Sequence, residues 1–128
     1  MSKTVMKVEL VVEVTDEDID DIVCGALEGG CNYWCDRVDV EGEYLGEFAS
    51  DQISRGGMLW LYDFEAEEKY MLDKEKFLKG VEMYIKNPTA DNILEQIDGV
   101  MKLDTCNADA YVCDAIIQYA LFGEVIYG

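Results

Sequence analysis

The chain has 128 residues, half of them hydrophobic, and a formal net charge of −18 with no histidine. This length fits a single domain, residues 1–128, with enough apolar material for a core. The charge disfavours direct binding to nucleic acid or to anionic membranes, and the absence of histidine excludes Ser-His-Asp triads, Cys-His dyads and histidine metal sites.

The first segment, MSKTVMKVELVVE, has no uninterrupted apolar run because Lys7, Glu9 and Glu13 divide it. It therefore fits neither a secretory signal nor a membrane span, and we expect a cytoplasmic protein. Within it, the partial alternation of branched apolar residues in KVELVVEV (7–14) predicts a long first strand.

A helix is predicted to follow this strand. Thr15 and Asp18 have the spacing of a capping box, and Gly29 and Gly30 are expected to stop the helix. The apolar face repeats at helical spacing and comprises Ile19, Ile22, Val23, Ala26 and Leu27.

The middle of the chain predicts a small antiparallel sheet. RVDVEG (37–42) alternates like a short strand, FASDQIS (48–54) is ambiguous and fits a helical turn, and MLWLYDF (58–64) is a strongly apolar strand. KYMLD (69–73) can pair with the apolar strand as a hairpin across the acidic turn between them.

The last third is predicted to be mostly helical. Asp73 should cap a helix running to about Ile85, ADNILEQIDGVM (90–101) fits a short helix, and an apolar stripe at helical spacing begins near Asn107. GEVIYG (123–128) fits a short final strand. The predicted fold class is α+β, a small mainly antiparallel sheet with about three helices packed on one face.

Acidic residues are concentrated in the first half, where residues 1–68 hold 18 acidic and 4 basic side chains. In VTDEDIDDIV (14–23), the first three acids suit the positive end of a helix. Asp20 and Asp21 form like-charge pairs at i,i+4 with Asp16 and Glu17, each costing about 0.2 to 0.5 kcal/mol. An EF-hand fails here, because Asp21 and Leu27 replace its required glycine and glutamate.

A second acidic group follows the first helix and comprises Asp36, Asp39, Glu41, Glu43 and Glu47. Together with Asp16, Glu17, Asp20 and Asp21 it predicts an anionic surface that attracts basic proteins. Ordinary solubility, including that of a salt-adapted protein, is the alternative explanation.

The sequence gives little indication of catalysis or of metal binding. No spacing singles out a carboxylate pair in two different environments, so we predict no enzymatic activity. The five cysteines are expected to be reduced, mostly buried thiols, with no metal or other cofactor. A zinc site remains an alternative; its ligands would be Cys31, Cys35, Cys106 and Cys113.

The loop GGCNYWCDR (29–37) contains Tyr33 and Trp34. Aromatic residues at a helix end commonly close the core beneath a turn. The rival hypothesis makes both residues partner contacts, because Tyr and Trp are frequent in binding hot spots.

The segments DIDDIVCGALEGGCNYWC, GEYLGEFASDQISRGG and DAIIQYALFGEVIYG resemble small acidic proteins carried by phages and mobile elements of Firmicutes. The resemblance supplies no catalytic motif for these positions. It implies an accessory protein in a bacterial host cell, similar in size and charge to inhibitors of host defence, including anti-CRISPR proteins.

The functional hypothesis is therefore a nucleic-acid mimic that occupies the basic groove of a host protein, such as an RNA-guided nuclease. The alternative is a non-catalytic module that self-assembles or binds a small ligand, through the aromatic residues at 33–34 and the segment YALFGEVIYG (119–128). The sequence leaves the oligomeric state open.

Overall fold

A computed structural model describes residues 2–128. It confirms the α+β class, with helices α1 (Asp16–Gly25), α2 (Lys74–Lys86) and α3 (Ala110–Phe122) packed against two small sheets. The strands are thus divided between two three-stranded sheets.

The first sheet has the strand order β1-β6-β5, formed by β1 (Val12–Glu13), β5 (Leu94–Ile97) and β6 (Val100–Leu103). β1 runs parallel to β6, and β5 and β6 form an antiparallel hairpin. The strand predicted over residues 7–14 is therefore paired only at Val12–Glu13.

The predicted short helix at 90–101 was wrong, because these residues contain the β5–β6 hairpin. Asp98 and Gly99 have φ values of 52° and 80°. Two successive left-handed residues match the right-handed twist of paired strands, and Asp-Gly is a preferred sequence for such turns.

The second sheet is an antiparallel meander of β2 (Cys35–Val40), β3 (Leu59–Asp63) and β4 (Glu68–Leu72). The predicted hairpin of β3 and β4 is confirmed, with Leu59 opposite Leu72. Along β3, Leu59 and Leu61 are buried while Trp60 and Tyr62 lie on the outer face. The ambiguous segment 48–54 contains a 3-10 turn, Ala49–Asp51.

The helices begin at polar caps. Asp73 Oδ1 accepts a hydrogen bond from the Lys76 N–H at 2.8 Å, which confirms the predicted start of α2. Asp109 Oδ1 accepts from the Val112 N–H at 3.0 Å and caps α3, and Gly123 ends it with a φ of 75°.

α3 is the central helix of the core. Seven successive residues, 112–118, are buried, and α3 packs against α1 and α2. Gly80 of α2 permits close approach, because a Cβ atom there would lie 2.5 Å from the carbonyl oxygen of Ile116. Beyond Gly25 the first helix continues as a π-helical segment, Ala26–Gly30, so the helical backbone ends at the two glycines predicted to stop it, Gly29 and Gly30.

The final segment GEVIYG was predicted as a strand but forms none. Its backbone is held by a side chain, because Gln118 Oε1 accepts hydrogen bonds from the N–H groups of Ile126 and Tyr127 at 2.9 and 2.8 Å. Over residues 2–128, no helix combines the length and the apolar character needed to cross a membrane.

Candidate functional site

The acidic residues of α1 are positioned by its cap and by its buried face. Thr15 Oγ1 accepts from the Asp18 N–H, and Asp18 Oδ2 accepts from the Thr15 N–H, both at 3.0 Å, which confirms the capping box. Ile19, Ile22 and Val23 are buried. The predicted acids Asp16, Glu17, Asp20 and Asp21 consequently lie on the outward side of the helix, with Asp20 partly covered.

Three of these four acids have a partner within the chain. Ser54 Oγ donates to Asp20 Oδ1 at 2.6 Å, Thr105 Oγ1 lies 3.5 Å from Asp21 Oδ2, and Lys74 Nζ lies 3.8 Å from Asp16 Oδ1. Asp20 therefore helps to join α1 to the segment that precedes β3. Of the two like-charge pairs at i,i+4, Asp16 and Asp20 both have a partner within the chain, and Asp21 has one in the pair with Glu17.

Part of the second acidic group lies on the outer face of the β2–β3–β4 sheet. Arg37 donates to both carboxylate oxygens of Asp39 at 3.1 and 2.5 Å, and this hydrogen bond and charge lower the pKa of Asp39. Glu41 Oε2 accepts from Trp60 Nε1 at 2.7 Å. Asp39 is thus paired with a cation within the chain, whereas the exposed Glu41 takes part in no salt bridge of residues 2–128.

The exposed loop 41–48 combines acidic and apolar side chains. Glu43 and Glu47 are exposed, and Tyr44, Leu45 and Phe48 are 60%, 52% and 60% exposed. Large apolar side chains concentrated on one exposed segment are typical of an interaction site.

The shape of loop 41–48 is fixed by one buried side chain. Gln52, which is fully buried, accepts a hydrogen bond from the Leu45 N–H at 2.7 Å and donates to the Phe48 carbonyl at 2.9 Å. Asp51 Oδ2 also accepts from the Phe48 N–H at 3.0 Å. The apolar side chains are therefore presented by an ordered backbone.

Trp34 is not available to a partner, because only 2% of it is exposed. Its Nε1 donates to Asp114 Oδ1 at 2.8 Å, and its ring stacks on Tyr127 with centroids 5.3 Å apart. It closes the core beneath the loop. Tyr33 is half exposed, but its hydroxyl donates to Asp114 Oδ2 at 2.6 Å, and burial and this bond raise the pKa of Tyr33.

Asp114 is the centre of a buried polar network that the sequence analysis missed. Besides Tyr33 and Trp34, Gln118 Nε2 donates to both of its carboxylate oxygens at 3.0 Å. Asp114 is 6% exposed and Gln118 is fully buried. The available signal was an aspartate at a core position of the apolar stripe, which requires hydrogen-bonding partners when it is buried.

A cavity of about 690 Å³ opens beside Asp114. Tyrosines supply its aromatic wall, and neither lysine nor arginine lines it. The full lining is Gly29, Gly30, Tyr33, Thr89, Ala90, Ala110, Tyr111, Asp114, Ala115, Val125, Tyr127 and Gly128.

The cysteines suggested as zinc ligands do not form a metal site in the described chain. Cys31, Cys35 and Cys113 are buried and Cys106 is exposed, and no group of three or more Cys, Asp or Glu residues within 2–128 is arranged to hold a metal ion. Burial, together with Asp109, raises the pKa of Cys113 to about 12. Desolvation of this kind disfavours the thiolate form of a cysteine that has no metal bound to it.

No family model matches the chain, and comparisons with curated proteins and with solved structures likewise found no match.

Proposed function

We propose that the chain is a non-catalytic acidic protein that binds the basic groove of a nucleic-acid-handling or defence protein in a bacterial host cytoplasm. In this role it would act as a nucleic-acid mimic, similar in class to the anti-CRISPR proteins that occupy the nucleic-acid channel of an RNA-guided nuclease. The observation that carries the proposal is loop 41–48, where exposed apolar side chains lie between exposed glutamates on an ordered backbone.

The charges available to a partner support this proposal. Residues 2–128 contain four salt bridges, and among the predicted acids only Asp16 and Asp39 take part in them. Glu17, Glu43 and Glu47 keep exposed carboxylates without a salt bridge in that range. Such charges accelerate encounter with a basic surface and weaken in salt.

The apolar side chains of loop 41–48 supply binding energy that exposed charges alone do not. Binding energy concentrates in a few aromatic or otherwise large anchors surrounded by polar contacts. Tyr44 and Leu45 have this setting between Glu43 and Glu47, and Phe48 directly follows Glu47. Because Gln52 already fixes the backbone, little conformational entropy is lost on binding.

The test is affinity capture from host lysate, comparing the wild type with two variants of equal net charge. Glu43→Lys/Glu47→Lys alters the loop, and Glu65→Lys/Glu124→Lys alters exposed acids elsewhere. We expect the wild type and the second variant to retain the same basic protein, and a nucleic-acid duplex or higher salt to release it. The loop variant should lose that protein.

Phe48→Ala provides a charge-neutral version of the same test, with Phe64→Ala as a control on another exposed aromatic. Loss of a hot-spot aromatic weakens binding by roughly tenfold or more. Equal retention by all variants, or retention that nucleic acid does not displace, would contradict the mimic hypothesis.

The cavity beside Asp114 favours a second candidate function, the binding of a small organic cation. A carboxylate and the rings of Tyr33, Tyr111 and Tyr127 line it without an opposing cation. Aromatic faces and carboxylates together attract ammonium groups. This function would belong to the small-ligand alternative rather than to the mimic.

Calorimetric titration with tetramethylammonium and choline tests the cation hypothesis, with benzoate as an anionic control. Tyr111→Ala removes a wall residue that is 80% exposed, so the fold should tolerate it, and Tyr44→Ala is the matched control outside the cavity. We expect binding of the cations only, and weakening by roughly tenfold in Tyr111→Ala. Equal binding by both variants would exclude this site.

A further inference from the structure

The amino-terminal arm, residues 2–14, differs in charge from the rest of the chain. It contains two lysines and two glutamates and is therefore neutral, so the net charge of −18 lies entirely outside it. Its apolar side chains are open to solvent: Val5, Met6, Val8, Leu10 and Val11 are each 55% to 87% exposed. The arm is thus the part of the surface where two copies of this acidic protein repel each other least.

The arm also ends in β1, which is an edge strand of the first sheet. β1 pairs with β6 on one side only, and β1 is the terminal strand in the order β1-β6-β5. Residues 7–11 have strand-forming sequence but no strand partner within the described chain. An edge with unpaired backbone groups can accept another strand.

One face of the arm is wholly apolar. Even-numbered positions from 8 to 14 are Val8, Leu10, Val12 and Val14, and alternate residues of a strand share a face. Together with Glu9 and Val11 these residues border a groove of about 670 Å³. Its other wall is formed by Leu78, Val81 and Ile85 of α2, with Glu82 and Lys86 beside them. Val12 and Val14 already pack against the core, whereas Val8 and Leu10 remain uncovered.

We propose that the arm is a self-association surface, on which β1 and the residues before it pair antiparallel with the same segment of a second copy. The two-fold axis passes through Leu10. Lys7 of each copy then faces Glu13 of the other, and Val8 faces Val12. This pairing forms two opposite-charge pairs and places the apolar side chains of both copies in contact.

Charge selects this register over its neighbours. A shift of the axis by one residue toward either end places Glu9 opposite itself or opposite Glu13, and like charges directly opposite are unfavourable. The axis at Leu10 avoids this and keeps both apolar faces on one side, over the two α2 grooves. The resulting sheet is continuous across both copies, an isologous dimer interface.

Mass at micromolar concentration, measured by sedimentation equilibrium on the full chain, tests the association. We expect a dimer that strengthens as salt screens the repulsion between two acidic copies, opposite to the salt response expected of binding to a basic partner. Leu10→Asp places two carboxylates at the axis and should yield a monomer with unchanged circular dichroism. A wild-type monomer, or a dimer that survives Leu10→Asp, would overturn the proposal.

Cysteine cross-linking tests the register. In a Cys106→Ser background, which removes the exposed native thiol, Leu10→Cys should form an intermolecular disulfide under mild oxidation. Val5→Cys is the control, because Val5 is more open to solvent than Leu10 (87% against 55% exposed) but lies roughly 30 Å from its counterpart in this register. Cross-linking of both variants to the same extent would overturn the stated pairing.

Discussion

Replacing Asp114 with alanine is expected to lower the free energy of unfolding by about 3 to 5 kcal/mol, because each buried donor left without an acceptor costs about 1 to 3 kcal/mol. The substitution removes the acceptor used by the Tyr33 hydroxyl, Trp34 Nε1 and Gln118 Nε2. Trp34 and Gln118 are buried, so their donors would lose a hydrogen bond without gaining water. Urea denaturation followed by tryptophan fluorescence and circular dichroism measures the change.

Two controls separate the network from a general loss of charge. Asp36→Ala removes an exposed carboxylate of β2 and is expected to change stability by less than about 0.5 kcal/mol. Tyr33→Phe removes one donor and should cost about 1 kcal/mol. If Asp114→Ala were as stable as Asp36→Ala, the network would not hold the α3 helix to the loop and to the carboxy-terminal tail.

The elements that the sequence predicted well are those fixed by neighbouring residues. Thr15 and Asp18 cap α1, Asp73 caps α2, and the alternation around Leu59 and Leu61 defines a half-buried strand. Each pattern acts over one or two turns or along one strand. Local chemistry is therefore sufficient to identify them.

Errors arose where a local signal was overlooked or where pairing is distant. Asp98-Gly99 is a hairpin signal, and the helical interpretation of residues 90–101 missed it. By contrast, nothing near Val12 indicates that it lies beside Met101 in a parallel pair. Nor does the sequence GEVIYG indicate that its backbone N–H groups will donate to the Gln118 side chain instead of to a neighbouring strand.

In the candidate site, too, the sequence predicted what neighbouring residues determine and missed what distant contacts determine. The sequence identified the acidic residues, but not which of them are satisfied within the fold: Ser54 bonds to Asp20, and Arg37 pairs with Asp39. It named Trp34 as a partner contact or a core residue, and its burial assigns it to the core. Composition gives the total charge, whereas tertiary contacts decide which charges are free to meet a partner.

Gly80→Ala is expected to separate α2 from α3 and to lower the free energy of unfolding by roughly 1 to 3 kcal/mol through overpacking. A Cβ atom at this position would lie 2.5 Å from the Ile116 carbonyl oxygen and 2.8 Å from the Ala120 Cβ atom. The first contact is with backbone, which cannot move aside as a flexible side chain would. Gly80→Val should cost more, because it adds volume and a branch at the same contact.

Gly29→Ala is the matched control, since it adds the same methyl group to another helical glycine, where no atom outside the adjoining helical backbone lies within 4 Å. Alanine favours helical backbone over glycine by up to about 1 kcal/mol, so this variant should be as stable as the wild type or more stable. Thermal and urea unfolding of the two variants separates the effect of intrinsic helix propensity from the effect of the contact between α2 and α3. Equal stabilisation by both substitutions would contradict close packing of α2 on α3, whereas a loss confined to Gly80 identifies that contact as the constraint on the core.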